Sequence, residues 1–286
     1  MLFRSRLDPE KGDLRALARR KGYRTVNIAP LVGGRFSVFG SVGLLPLALF
    51  GLDANAFLRG GAKAAARCTG TDDNPALELA LALHAQHVDH GRNILVLMSY
   101  SDGLAWVGDW FAQLWGESLG KNAKAGSTPV RAVGATDQHS QLQLYLDGPE
   151  DKTVLFLRTA GFRSDLAIPA PDVPVPGNAY LVGLKMGELL RVESLATEKA
   201  LTDRKRPNGV LALDAVNEES LGALLYFLQL VTVYAGALYG VDPFDQPAVE
   251  AGKRYAYGYF GRDGYAAEGD ALRAFEKRPR KTIKIS

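Results

Sequence analysis

Four short stretches of this 286-residue chain hold residue types that together could move a proton between neighbouring carbons of a sugar phosphate. They are Gly33-Gly34-Arg35-Phe36-Ser37, Gln113-Leu114-Trp115-Gly116-Glu117-Ser118, Thr136-Asp137-Gln138-His139, and Phe244-Asp245-Gln246 running on to Lys253. Shifting a carbonyl between C1 and C2 calls for a carboxylate to carry the proton, an acid/base pair to open the ring, and a cation to hold the enediolate. Glu117, the pair His139 and Lys253, and Arg35 can fill those roles, with the amides of Gln113 and Gln246 as hydrogen-bonding groups.

The elements expected to carry these residues give each a setting. Residues 103–119 read as an amphipathic helix ended by Gly120, on which Gln113 and Glu117 are four apart and share a face. Glu117 then falls in the last turn, where the helix macrodipole disfavours negative charge. Such a carboxylate is either a solvated side chain at a frayed end or one kept for its chemistry. His139 falls in the first turn of a helix over residues 138–146, behind Thr136 and Asp137 as candidate caps, with its ring at the positive end of the dipole. Taken alone it reads as a polar residue with a satisfied partner. Gln246, Glu250 and Lys253 follow i, i+4, i+7 spacing on a helix expected over residues 246–257, which is also the pattern of a plain surface stripe. Arg35 follows two glycines, which allow close backbone approach, and precedes a helix opened by Ser37, so that its guanidinium is suited to meet an oxyanion.

Two other clusters invite a functional reading and have a simpler one. His84, His87 and His90 lie at i, i+3 and i+6, but the outer two are about 120° apart around a helix. With no cysteine beside them, they read as the polar side of a helix whose Leu77, Ala80, Leu81 and Val88 face inward, not as a metal site. Trp106, Trp110, Phe111 and Trp115 read as core or subunit contact and not as a cofactor box.

Around these motifs helical and strand patterns alternate. A helix over residues 11–21 and a short strand over 25–29 come first; a lone helix and strand cannot make a domain, so residues 1–30 read as the remnant of a preceding one. Within them Leu2-Phe3-Arg4-Ser5 is what common sequencing-adapter DNA encodes, which marks residues 1–5 as artefactual. Helices follow over 74–90, 103–119, 138–146, 179–197 and 220–240, the last almost wholly apolar, with buried strands over 93–98, 152–158 and 209–213 and a proline-rich extended loop over 169–176. Short apolar strands between helices predict an α/β fold, a parallel sheet covered on both faces, across residues 31–286.

Composition narrows the class. With 47% hydrophobic and 23% charged residues the chain reads as globular, and a formal charge of +3 is too mild for a nucleic-acid binder. The five cations within residues 277–284 have no interleaved aromatic platform and read as a solvated end. Cys68 is the single cysteine, which fits a reducing compartment. No signal peptide is visible, and the apolar run over residues 38–50 is short of the roughly 20 residues a bilayer span requires, so the expected location is the cytoplasm, with no membrane partner.

Taken together, Val32-Gly33-Gly34-Arg35-Phe36-Ser37 with Val42-Gly43-Leu44-Leu45-Pro46, then Gly116-Glu117-Ser118, Gly134 to Ser140, and Phe244 to Lys253 closely resemble the glucose-6-phosphate isomerase family in order and spacing. The resemblance implies a second sugar-isomerase (SIS) domain, a five-stranded parallel sheet with flanking helices, and interconversion of glucose 6-phosphate and fructose 6-phosphate without metal or organic cofactor. It implies that Glu117 shuttles the proton, that Arg35 stabilises the enediolate, and that His139 and Lys253 handle ring opening. Gln113, Gln246 and the Gly34 backbone would touch the substrate. It further implies a homodimer in which His139 acts in trans.

The chain departs from the family in two places. The family's Gly-Ile-Gly-Gly-Ser turn and Ser-Lys-Ser/Thr-Gly-Thr-Thr loop, which hold the substrate phosphate, occur nowhere in it. Ala248 and Ala251 stand where the family has glycine and leucine. The expectation is therefore an isomerase chemistry that is impaired in this chain alone, with a non-catalytic sugar-phosphate-binding SIS module as the alternative.

Overall fold

The computed structural model describes residues 12–279 and Ile283. Residues 1–5, and residues 280–282 and 284 of the basic tail, lie outside the described residues. The chain falls into two compact units, one ending at Phe244 and the other beginning at Asp245.

The first unit opens with helix α1 (Asp13–Lys21), closed by Gly22 in the left-handed conformation. The strand expected over residues 25–29 does not form: the backbone there belongs to no ladder and is largely exposed. An extended run becomes a strand only beside an edge that accepts it, and neither edge of the sheet pairs with this one. A 3-10 turn (Gly34–Phe39) leads into α2 (Ser41–Leu49), α3 (Ala54–Cys68) and α4 (Pro75–Val88). Asn74 begins α4 because its Oδ1 accepts from the Ala76 and Leu77 N–H groups, with Pro75 in the first turn where no amide hydrogen is needed. Its Nδ2 also donates to the Cys68 carbonyl, tying the end of α3 to the start of α4.

Then the alternation sets in: β1 (Ile94–Ser99), α5 (Ala105–Leu119), β2 (Thr128–Val133), α6 (Thr136–Asp147), β3 (Lys152–Gly161), α7 (Met186–Asp203), β4 (Asn208–Ala215) and α8 (Glu218–Tyr239). The four described strands form one parallel sheet in the order β2-β1-β3-β4, one strand fewer than the five expected. Register is set by apolar runs that alternate between faces. Leu95, Leu97, Leu155 and Leu157 pack under α3, α4, α5 and α8, while Val96, Met98, Val154 and Phe156 face Tyr145 of α6 and Leu201 of α7. Each fully buried side chain of this size contributes about 1.5–3 kcal/mol.

α7 starts at Met186, later than the expected residue 179, because Gly183 takes a left-handed φ of 84° and breaks the run after a 3-10 turn over Pro176–Leu181. α8 is long and apolar enough, by length and composition, to cross a membrane, but half of its most apolar window is buried, with Leu228, Val231 and Ala235 at 0% exposure in the core.

The second unit holds a 3-10 turn (Pro247–Val249), α9 (Glu250–Tyr259) and α10 (Ala266–Glu276). Gln246 does not lie on the helical face expected for it. Pro247 follows, the residue before a proline is pushed away from helix, and Gln246 takes φ −160° and ψ 70°.

Candidate active site

Arg35 leaves the main chain inside the 3-10 turn, not ahead of a helix capped by Ser37. Ser37 Oγ instead donates to the Gly34 carbonyl at 2.7 Å within the turn, and the Gly34 backbone is exposed. The Arg35 side chain is 1% exposed and is held on several sides. Nε donates to Ser118 Oγ at 2.7 Å, one terminal nitrogen donates to the Pro243 carbonyl, and the other lies 3.3 Å from Glu117 Oε2. The ring of Phe36 lies 5.4 Å from the guanidinium carbon and packs on Phe244 at a centroid distance of 5.2 Å. Burying a charge this deeply is tolerable only where a counter-charge and acceptors surround it.

Glu117 lies in the last turn of α5, as the periodicity predicts, with its side chain 29% exposed. Gln113 Nε2 donates to its Oε1 at 3.1 Å. Both carboxylate oxygens thus have partners, one cationic and one neutral, while the group keeps a path to solvent. Sequence reasoning missed two parts of this cluster. Ser118 stood in the motif with no role assigned to it, and the Pro243 carbonyl is a backbone atom that no residue pattern announces.

His139 is not part of that cluster. It lies in the first turn of α6, exposed, and its ring makes no hydrogen bond or ion pair among the described residues. Thr136 is the first residue of the helix and not its cap. Asp137 Oδ2 accepts from the Val133 N–H at 2.7 Å, fastening the helix start to the end of β2. A Cβ on Gly116 would meet Pro129 at 3.9 Å, which sets Glu117 level with the beginning of β2, whereas His139 follows its end. From Pro129 to Val133 the strand climbs about 13 Å, so within one chain Glu117 stands near the start of β2 and His139 beyond its end.

Lys253 lies on α9 with its side chain 17% exposed and pairs with Glu250 at 3.1 Å. Gln246 precedes the turn that starts that unit.

The histidine row of α4 is turned from its expected orientation. Leu81 and Val88 are 47% and 52% exposed, whereas Ala76, Ala80 and Leu83 are buried, which swings His84 and His87 toward α8. His84 packs on the Tyr239 ring at 4.7 Å, and His87 Nδ1 lies 2.8 Å from the Tyr239 hydroxyl. Burial, and then His84 beside it, hold the His87 pKa below the usual imidazole value, and burial pushes Tyr239 up to about 12. The unfolded chain, with His87 near about 6.5, therefore binds this proton more readily than the folded one. Stability from this group is complete above that pH and falls as pH drops through it. Thermal unfolding at pH 8 and pH 5.5 should show a larger acid loss in the wild type than in His87→Gln; equal losses would disprove the assignment.

No family model matches the chain. Among curated proteins it is 49% identical over 265 residues to the glucose-6-phosphate isomerase of Rubrobacter xylanophilus, covering 91% of this chain and 60% of that protein. To the glucose-6-phosphate isomerase of Carboxydothermus hydrogenoformans it is 43% identical over 283 residues, covering 96% of this chain and 61% of that protein. Among solved structures, hypothetical protein TT0462 from Thermus thermophilus superposes with a TM-score of 0.84 at 37% identity, over 89% of this chain and 61% of that one. The glucose-6-phosphate isomerase of Chlamydia trachomatis shares the fold, with a TM-score of 0.75 at 21% identity over 92% of this chain and 58% of that one. The chain spans about three-fifths of the length of the curated relatives it matches.

Proposed function

We propose, from the kinship of nine-tenths of this chain with part of the glucose-6-phosphate isomerases, that it carries the proton-transfer machinery that interconverts glucose 6-phosphate and fructose 6-phosphate. The observation that carries this reading is the Glu117 carboxylate, open to solvent on one side, against the buried guanidinium of Arg35. In the open-chain aldose, Glu117 takes the proton from C2. The C–H electron pair becomes the C1–C2 double bond, and the carbonyl pair moves onto O1. Arg35 holds the oxyanion of this cis-enediol(ate), where a fixed cation is worth most. The O2 hydroxyl proton passes to O1, and Glu117 then returns its proton to C1, which the C1–C2 double-bond pair takes up as O2 becomes the carbonyl. His139 and Lys253 open the ring, and Gln113, Gln246 and the Gly34 backbone hold the sugar. The scheme needs neither a metal nor an organic cofactor, and it belongs to glycolysis and gluconeogenesis.

The length of β2 bears on His139. With Glu117 beside the start of β2 and His139 past its end, about 13 Å or more further along the strand, the reading does not bring both to one sugar within one chain. The reading therefore gives His139 to the active site of a second copy, in a homodimer. It also takes residues 31–286 as a second SIS domain, preceded by the end of another, in a cytoplasmic enzyme.

Because the chain lacks the Gly-Ile-Gly-Gly-Ser and Ser-Lys-Ser/Thr-Gly-Thr-Thr loops, the substrate phosphate loses its anchor. Remote binding energy of this kind supports turnover as well as affinity. The chain should be assayed by itself and joined to the part of the Rubrobacter relative that it does not span. We expect isomerisation by the joined form and a rate at least about 100-fold lower, or none, by the chain alone. Equal rates would refute the impairment. Sugar-phosphate binding without turnover by the joined form would favour a non-catalytic binding module.

A further inference from the structure

Ser118 has no part in the proposed reaction, yet it is one of the most deeply buried polar residues, at 0% exposure in the last turn of α5. Its hydroxyl accepts the Nε–H of Arg35 at 2.7 Å, while the Pro243 carbonyl, from the segment after α8, accepts from NH2. A guanidinium is a flat fork of five N–H groups that pairs with carboxylates two bonds at a time when free to turn. Here two of its three nitrogens are engaged by neutral oxygens from different elements. That fixes its rotation, and NH1 meets Glu117 at 3.3 Å in a long, single contact.

We infer that Ser118 is a positioning residue for Arg35. By holding Nε it fixes the plane and aim of the cation, so that the Pro243 carbonyl stays on NH2 and the two terminal nitrogens do not close together on Glu117 as a two-bond pair that would tie up both carboxylate oxygens. This inference rests on the proposed isomerase reading for its functional consequence, but not for the geometry it asserts. Without the serine hydroxyl, a buried N–H loses its acceptor and the fork is free to turn, with the carboxylate already in contact with NH1.

The test is made on the 15N-labelled chain, in which the Arg35 Nε–H signal is identified by its loss in Arg35→Lys. We expect that proton to exchange with water at least about tenfold more slowly than those of exposed arginines, and Ser118→Ala to remove the protection while the backbone amides of α5 keep theirs. Ser118→Cys, with a weaker acceptor of similar size, should fall between the two. An Nε–H equally protected in Ser118→Ala overturns the inference.

The second readout uses the chain joined to the missing part of the Rubrobacter relative. Ser118→Ala should slow kcat roughly tenfold and leave KM within about twofold, the mark of a misaimed group and not of a lost substrate contact. Unchanged kcat overturns the functional consequence even if the proton signal behaves as expected. If the unsubstituted joined form isomerises nothing, the isomerase reading fails, and the exchange measurement alone decides whether Ser118 holds Arg35.

Discussion

Glu117→Gln should abolish exchange of the substrate C2 proton with solvent while leaving sugar-phosphate binding largely intact. The amide has the shape of the carboxylate and can keep a hydrogen bond with Gln113, which now meets Glu117 at 3.1 Å, but it cannot take a proton from carbon. General acid–base catalysis contributes about 10²–10⁴-fold, so a loss of at least that size is expected in the chain joined to the missing part of a relative. The substitution also removes a negative charge paired with Arg35, whose side chain is 1% exposed, and this offers a competing cause. Arg35 keeps its bonds to Ser118 and Pro243, so its Nε–H signal should stay near the wild-type position. Loss of exchange with that signal unmoved identifies the base. Exchange retained at the wild-type rate would put the base elsewhere, and loss accompanied by a displaced Arg35 signal would assign the effect to the cation.

What the sequence disclosed about this site followed local periodicity. Glu117 and Gln113 share a face because a helix repeats near four residues, and no tertiary contact can change that. β1 and β3 were legible as apolar runs because strands covered on both faces have no polar side to show, and β4, though exposed at alternate positions, still carries the apolar run Val210–Leu213. β2 escaped notice because it carries Pro129 and Arg131, which break the apolar pattern, and it can do so because it is an edge strand of the described sheet. α3 escaped because Gly60-Gly61 sit in the middle of it, where helix propensity is poor. The placement of His139 relative to Glu117 could not be read at all from the motifs. Two motifs close in sequence end up toward opposite ends of β2 because that strand runs between them. Nor could the Leu81 and Val88 orientation be read, since α4 has apolar residues on more than one side and the packing of α8 decides which side is covered.

The glycines that hid α3 lead to the largest expected loss of stability. A Cβ on Gly60 would lie 1.8 Å from the Glu219 carbonyl oxygen, and one on Gly222 would lie 2.0 Å from that of Phe57. These are backbone atoms on the facing helix, so no rotamer change relieves the clash, and α3 and α8 would have to separate. Separation disturbs Phe57, 1% exposed, and Phe39, which stacks on it at 4.9 Å and closes the turn that carries Arg35. Gly222→Ala should therefore cost about 3 kcal/mol or more, at the upper end of what overpacking produces, and should also loosen Arg35. Gly177→Ala is the control, because it lies in the same unit and a Cβ there meets nothing within 4 Å. Trp106, Trp110 and Trp115 all lie in the first unit, so denaturant unfolding followed by tryptophan fluorescence reports that unit alone. A midpoint for Gly222→Ala within about 0.5 kcal/mol of wild type would mean that the two helices have room to part, and that their glycines do not set the position of the guanidinium.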